Sequence, residues 1–302
     1  MTVSVCQEPD GLSVASVKRN QTGQATLQFA DRESCPSAAE HNRALGQLVQ
    51  RQNLQNSHCV AVLPANSYQL TQVEMAELPV DERRDAARWL IRERIDYPPE
   101  EAVIDLFEVA PFGSEKKPRT YVVSAQQKLL RERVQLIEQS DLSLQSIDIP
   151  EFALRNICDL FTDDDRGLAI LLLLEQSGVL VIVRDGTLYL VRWLSSGMED
   201  LIPFADGDFE ALTEQLDTIV LEIQRSFDYC ESTFHLPMVS RLLVAQTQRE
   251  IPAVISYLND YLSTQVESFS FADVLTIPEE SEQIQLNRYL MAIGGALRRE
   301  TN

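Results

Sequence analysis

The sequence predicts an α/β protein built as two similar lobes around a cleft. Strand-like and helix-like patterns alternate along the whole chain instead of segregating. The two halves follow one order: a strand meander, a helix, a further strand, a further helix. The chain has 302 residues and 44% hydrophobic content, enough for two ordinary cores.

In the first half, alternating patterns predict strands over residues 2–6, 12–19 and 25–30, the last two joined by a turn at 20–23. A helix is expected over 38–54, with Leu45, Leu48 and Val49 on one face. Residues 59–63 form a short apolar run ended by Pro64, a buried strand, and 68–75 a further strand. Asp81 reads as the N-cap of a helix reaching about residue 95, which Tyr97-Pro98-Pro99 stops because proline cannot continue it. Strands follow over 103–109 and 120–124, with a polar loop over 113–118 between them. Leu129, Leu130, Val134 and Ile137 mark a helix.

The second half starts beyond Asp163-Asp164-Asp165, a triple aspartate that reads as a solvated connection. Residues 168–174 and 178–183 are apolar strands. Arg184-Asp185-Gly186 is a hairpin turn signal, and 187–193 is the returning strand, with Trp193 expected in the core. A long helix over 208–232 carries Leu212, Leu216, Ile219, Ile223 and Phe227 as its inner stripe. A strand over 241–245 leads to a helix marked by Val254, Ile255, Leu258 and Leu262. The last helix, 281–299, uses Leu286, Leu290, Ile293 and Leu297. Gly294-Gly295 inside it costs about 1 kcal/mol per glycine against alanine, so the pair signals close approach of another element.

Composition narrows the function. A net charge of −20 argues against nucleic acid, whose phosphates require a basic face, and is compatible with a basic peptide or protein partner, solubility alone being the alternative. The five cysteines are scattered with no C-x-x-C pair, and the three histidines show no ligand spacing, so reduced thiols and no metal site are expected. No signal peptide and no membrane span are read, which predicts a cytoplasmic chain without direct membrane insertion. There is no G-x-S-x-G elbow, P-loop or Rossmann fingerprint, and no catalytic residue is nominated.

The helix starting near Asp81 is the best surface candidate. Ala87, Leu90, Ile91 and Ile95 are expected to form its buried stripe, with Trp89 at the margin. Tryptophan is enriched at interface centres, so Trp89 is nominated as a partner anchor, ordinary packing being the alternative.

Three antiparallel strands followed by a long helix resemble the opening of each half of the actin-like, ribonuclease-H-like nucleotide-binding fold. That resemblance implies Asp- and Gly-bearing phosphate turns. Here the first turn is Gln7-Glu8-Pro9-Asp10-Gly11, and the second is Leu172-Leu173-Leu174 followed by Glu175-Gln176-Ser177. Leucine cannot supply the oxygen ligands that Mg²⁺ needs. The adenosine loop, a glycine run in such proteins, is Ala245-Gln246-Thr247-Gln248-Arg249 with Pro252 behind it. Glu8, Asp10, Leu172, Leu174, Gln246, Thr247 and Gln248 are therefore read as degenerate nucleotide positions. No cofactor is expected, with residual ATP binding as the alternative.

Further segments carry a narrower resemblance: Leu78-Pro79, Arg88-Trp89, Tyr97-Pro98, Asp105-Leu-Phe107, Val123-Ser-Ala125, the run from Ile147 to Leu154, the run from Arg225 to Tyr229, and Gly294-Gly-Ala-Leu297. In this order they are similar to PilM-like pilus-assembly proteins, actin-like relatives of the division protein FtsA, and most to the branch serving mannose-sensitive haemagglutinin (MSHA) pili. The resemblance covers nearly the whole chain. It implies a first lobe over 1–152, with about 64–125 as an inserted small subdomain and a C-terminal helix, 283–302, returning to that lobe. The second lobe is then 153–282. It also implies a non-enzymatic scaffold whose groove takes the N-terminal cytoplasmic tail of a PilN-like single-span inner-membrane protein, alongside other pilus platform components. Leu78, Trp89 and Leu90 are the partner-binding residues it nominates. An active ATPase or kinase of the same fold, and the cytoplasmic component of a type II secretion platform, are the alternatives.

Overall fold

The computed structural model describes the chain apart from residues 9, 22, 36, 38–39, 110–117, 162–165, 238, 279–282 and 300–302. Most of the 113–118 loop and the whole triple aspartate therefore lie outside the described residues.

The first lobe is a five-stranded sheet in the order β3-β2-β1-β4-β8. Its strands are β1 (Thr2–Glu8), β2 (Gly11–Arg19), β3 (Ala25–Ser34), β4 (His58–Val62) and β8 (Ser143–Asp148). The meander β1-β2-β3 is antiparallel, and β4 and β8 join in parallel. Helices α1 (His41–Arg51) and α3 (Gln127–Gln139) cover its outer face. Between β4 and α3 the chain leaves this sheet to form a separate three-stranded sheet, β5-β7-β6. Its strands are β5 (Gln69–Val73), β6 (Ala102–Val109) and β7 (Arg119–Gln126), and helix α2 (Val80–Ile91) lies on one face.

The second lobe repeats the first sheet as β11-β10-β9-β12-β13. The strands are β9 (Leu168–Leu173), β10 (Gly178–Arg184), β11 (Thr187–Leu194), β12 (Arg241–Gln246) and β13 (Gln265–Ser268). The β10–β11 turn has φ of 49° at Asp185 and 69° at Gly186, the pair of positive values that a tight hairpin requires and that selects Asp-Gly. Short helix α5 (Met198–Leu201) leads to α6 (Phe209–Phe234), whose N-cap Asp208 accepts from the Ala211 N–H at 3.0 Å. With α7 (Pro252–Tyr261), α6 covers the outer face. Alternation along β9 is strict. Leu168, Ile170 and Leu172 face the layer between the lobes, and Ala169, Leu171 and Leu173 face α6 and α7.

Two helices fill the layer between the sheets, and each is exchanged. Helix α4 (Pro150–Cys158), from the end of the first half, packs on β9, β10 and β11. Helix α9 (Leu290–Ala296), near the chain end, packs on β1, β2 and β4, and also against α4. One apolar cluster runs through Cys6, Leu154, Leu172 and Ile293, so the lobes share a core.

Several expectations need correction. The helix expected over 281–299 is two: α8 (Gln283–Arg288) and α9, separated at Tyr289. Asn287 in α8 is hydrogen-bonded to Gln246 of the second lobe, while α9 lies on the first. Helix α2 starts at Val80 after Pro79 and stops at Ile91, so Asp81 is not its cap and Ile95 lies beyond it. Its buried stripe is Ala87 and Ile91; Leu90 is 43% exposed. Trp193, expected in the core, is 37% exposed, because edge strand β11 ends there with its indole N–H turned to Glu151. Helix α1 is shorter than 38–54, and Asn53 with φ of 54° follows its end. Strands β8 and β13 and helix α4 are elements the pattern reading did not delimit.

Candidate functional site

The three segments that the sequence reading takes as degenerate nucleotide positions sit at strand ends and the turns and loops that follow them. On the first lobe, Glu8 ends β1 and Asp10 lies in the β1–β2 turn. Both are held by Arg32 from β3: its Nε lies 2.8 Å from Glu8 Oε2 and its Nη2 2.5 Å from Asp10 Oδ1. The Ser13 hydroxyl donates to the other Glu8 oxygen. The hydrogen bond from Arg32 holds the Asp10 carboxyl below the usual carboxylate range, and Arg288 of α8 adds a smaller share.

On the second lobe, Leu172 is a fully buried β9 residue and Leu174 is half-buried against the same layer. The β9–β10 turn, residues 175–177, is closed from outside. The N–H groups of Met198 and Glu199 donate to the carbonyls of Leu174 and Glu175 at 2.8 and 2.9 Å. A Cβ on Gly197 would stand 2.6 Å from the Glu175 carbonyl oxygen, so nothing larger fits against this turn.

The loop after β12 is equally occupied. Gln246 is buried; its Oε1 accepts the Ile251 N–H at 2.9 Å ahead of α7, and its carbonyl accepts from Asn287 Nδ2 at 3.1 Å. Buried Thr247 donates to the Leu173 carbonyl at 2.9 Å, and Gln248 donates to the Glu175 carboxylate at 3.2 Å. The structure thus brings the second and third positions into one hydrogen-bonded unit. Two adjacent residues at the end of α8 relate to both sides: Asn287 donates to the Gln246 carbonyl, and the Arg288 charge acts on Asp10.

A second region lies on the three-stranded sheet. Leu78 is half-buried before α2, and its carbonyl accepts from Arg83 Nε at 3.1 Å. Trp89 is 69% exposed on the side of α2 opposite Ala87 and Ile91, with the Arg92 guanidinium 5.4 Å from its ring centroid. Trp89 and Leu90 are neighbours on the outer surface. The opposite face of the same sheet forms a groove of about 340 Å³ with the second lobe. Leu70, Gln72, Phe107 and Tyr121 line one wall, and consecutive residues 188–192 of β11 line the other, with Tyr229 also lining it. Because strand residues alternate faces, Leu70, Gln72, Phe107 and Tyr121 point away from α2. The nominated Leu78, Trp89 and Leu90 therefore do not reach this groove. Sequence reading missed its lining; the one available signal was the alternation of Phe107 and Tyr121 against their buried neighbours Leu106 and Val122.

Beside the groove, buried Glu151 at the start of α4 joins three parts. Its carboxylate accepts from the Tyr68 hydroxyl, which precedes β5, and from Trp193 Nε1 of β11 at 3.4 Å. Burial raises its pKa above the ordinary glutamate value. Phe152 next to it packs edge-on against Phe107, which stacks on Tyr121 in the groove wall.

No family model matches the chain, and no curated protein matches it in sequence. Solved structures do match. A chain of a PilM–PilN type IV pilus biogenesis complex is 19% identical over 98% of this chain and 97% of its own, with a TM-score of 0.78. A protein of actin-like ATPase fold from Bacteroides thetaiotaomicron covers 96% of this chain and 95% of its own at 10% identity, TM-score 0.50. The fold is actin-like. The cytoplasmic domain of EpsL, an inner-membrane component of the Vibrio cholerae type II secretion system, has the same overall similarity: 10% identity, 96% and 93% coverage, TM-score 0.50.

An actin-like fold implies a magnesium nucleotide between the lobes, and the residues present do not fit one. The Arg32 guanidinium already engages both carboxylates of the first turn. The second turn and the loop after β12 spend their polar groups on each other and on Asn287. Among the described residues no group of three His, Cys, Asp or Glu side chains converges to hold a cation. No helix of the described residues is long and apolar enough to cross a membrane.

Proposed function

We propose that this chain is a catalytically silent, actin-like scaffold of a type IV, MSHA-like pilus-assembly platform. It works on the cytoplasmic face of the inner membrane and holds the N-terminal cytoplasmic tail of a PilN-like single-span protein, beside other platform components. The reading is supported by two findings: polar groups at the nucleotide positions engage one another and neighbouring residues of the chain, and the chain is similar over its whole length to one from the PilM–PilN complex. A net charge of −20 favours a basic tail: tails beside a membrane span are rich in lysine and arginine. The same charge disfavours anionic lipid and nucleic acid.

Calorimetric titration tests it. The tail peptide of the PilN-like protein from the same organism should bind, with affinity falling as salt rises through about 0.1 to 0.5 M, because screening removes the long-range attraction. Mg-ATP in a separate titration should give no heat of binding. Binding of Mg-ATP would reopen the cleft as an enzyme site, and absence of tail binding would remove the pilus reading. The likeness to the EpsL cytoplasmic domain favours a second reading, a type II secretion platform. Preference for the tail of that system's membrane protein over the pilus tail would select it.

A further inference from the structure

We infer that strand β7 is a strut between the lobes, which holds them in one relative position and removes opening of the cleft as a way of coupling a ligand to the rest of the molecule. This goes beyond the platform reading and does not depend on it.

The strut starts in the first lobe. Strand β7 ends at Gln126 and α3 begins at Gln127, so strand and helix are continuous. Helix α3 is seated on the first sheet through Leu136 and Ile137. Within its own sheet β7 is the middle strand, paired to β5 over 120–124 and to β6 along its whole length. Eight strand residues span about 25 Å, and pairing on both sides stiffens them.

The far end is fixed in the second lobe. Arg119, the first residue of β7, donates from Nη2 to the Thr233 carbonyl at 2.9 Å, and its guanidinium lies 4.2 Å from the centroid of the Phe234 ring. Thr233 is in the last turn of α6, where a helix leaves its carbonyls without intrahelical partners and favours a cation. Phe234 gives no play, being 1% exposed and set edge-on against Tyr189 of β11. Directly across from Arg119 on β6 is Val109, buried in the core that the second sheet forms with α6 and α7. One end of a sheet rooted in the first lobe is thus inserted in the second. Between the two ends, Phe107 packs edge-on against Phe152 of α4.

Two-lobed proteins open by rotating about the few connections that act as hinges. Here α4 and α9 are such connections, in the layer between the sheets. The Arg119–Val109 end lies outside that layer, against the core on the opposite face of the second sheet. Rotation about α4 and α9 would pull the guanidinium from Phe234 and expose Val109, so the strut opposes it. A ligand or partner then meets one interlobe geometry.

Double electron–electron resonance on the full chain tests this. Spin labels are placed through Gln47→Cys in α1 and Thr218→Cys in α6, exposed positions on the outer helices of the two lobes. The native cysteines are buried, and unsubstituted protein is the labelling control. The labelled pair is measured alone, with Arg119→Ala, and with Arg84→Ala, whose exposed side chain pairs with Asp105 inside the small subdomain. The expected result is a single narrow distance for the pair alone and with Arg84→Ala, and a shifted or broadened distribution with Arg119→Ala. Far-UV circular dichroism checks that each variant is folded. If Arg119→Ala does not fold, Arg119→Lys, which keeps the charge and loses the planar guanidinium, takes its place. A folded Arg119 variant that retains the narrow distance overturns the strut. So does a broad or two-peaked distribution in the protein with Arg119 intact, whatever the variants do.

Discussion

Gly294→Ala is expected to be the most damaging single-methyl addition in this chain, costing about 3 kcal/mol or more. A Cβ at Gly294 would stand 2.6 Å from the Ala153 carbonyl carbon and 3.0 Å from its Cα, with the carbonyl oxygen closer still. All three atoms are backbone of α4, so no rotamer change relieves the clash. Neither helix can retreat easily. Ala153 is fully buried, and Asn156 Nδ2 holds the Gly294 carbonyl at 3.0 Å. The two lobes share this helix pair, so separating it loosens both sheets. Gly295→Ala should cost less: its Cβ meets the Ser4 hydroxyl and a Val62 methyl at 2.6 Å, side-chain atoms that can move. Gly46→Ala is the internal control. It sits within α1 with nothing in reach of a Cβ, and should stabilise by about 0.5–1 kcal/mol through helix propensity. Urea denaturation of the three variants checks the order. A Gly294→Ala variant as stable as wild type would mean that α4 and α9 do not approach this closely.

The second large effect is at Glu151. Glu151→Ala leaves the Tyr68 hydroxyl and the Trp193 indole N–H without their acceptor inside the joint between the three-stranded sheet, α4 and β11. At roughly 1–3 kcal/mol for the buried Tyr68 hydroxyl, with Trp193 exposed enough to turn to water, about 2 kcal/mol of destabilisation is expected. Glu151→Gln keeps the shape and an acceptor oxygen, and should lie within about 1 kcal/mol of wild type at neutral pH. The pH dependence separates charge from shape. Burial raises the folded-state pKa of Glu151 above the ordinary value of 4.5. The folded chain therefore holds this proton more tightly than the unfolded chain. The resulting stability is fully present below pH 4.5 and is lost as pH rises through the raised folded value. Measured as wild type minus Glu151→Gln, stability should fall with rising pH across that window and then level off. A difference that rises with pH would mean that the carboxylate is stabilised as an anion, with its hydrogen bonds outweighing burial.

The legible and illegible parts of this chain divide by the range of the forces involved. Turn chemistry at Asp185-Gly186, the apolar run of β9 and the inner stripe of α6 are local patterns, and each is found where its residues alone put it. Helix α4 keeps helical spacing at Ala153, Leu154, Ile157 and Cys158, but nine residues are too few for the pattern to delimit a helix by itself. Trp193 was misplaced because an alternating strand does not reveal whether it lies at the edge or the centre of its sheet. Trp89 could be marked as a surface candidate from helical spacing, but its distance from the groove depends on which face of the three-stranded sheet α2 covers.

The candidate cleft shows the same division. That Leu172 and Leu174 offer no oxygen ligand for Mg²⁺ is a matter of side-chain chemistry, visible in the letters. That Arg32 spans Glu8 and Asp10, that Thr247 closes onto β9 and that Asn287 reaches Gln246 from α8 depends on residues up to 74 positions apart meeting in space. By itself the sequence determined the α/β class, the duplicated order of elements, the acidic charge and the absence of a recognised catalytic motif, because these are set by composition and short-range periodicity. Only the tertiary structure decided the exchange of α4 and α9 between lobes, the pairing of polar groups at the nucleotide positions and the groove beside β11. Each of these is a long-range pairing, whose partners the chain specifies through packing and not through any local signal.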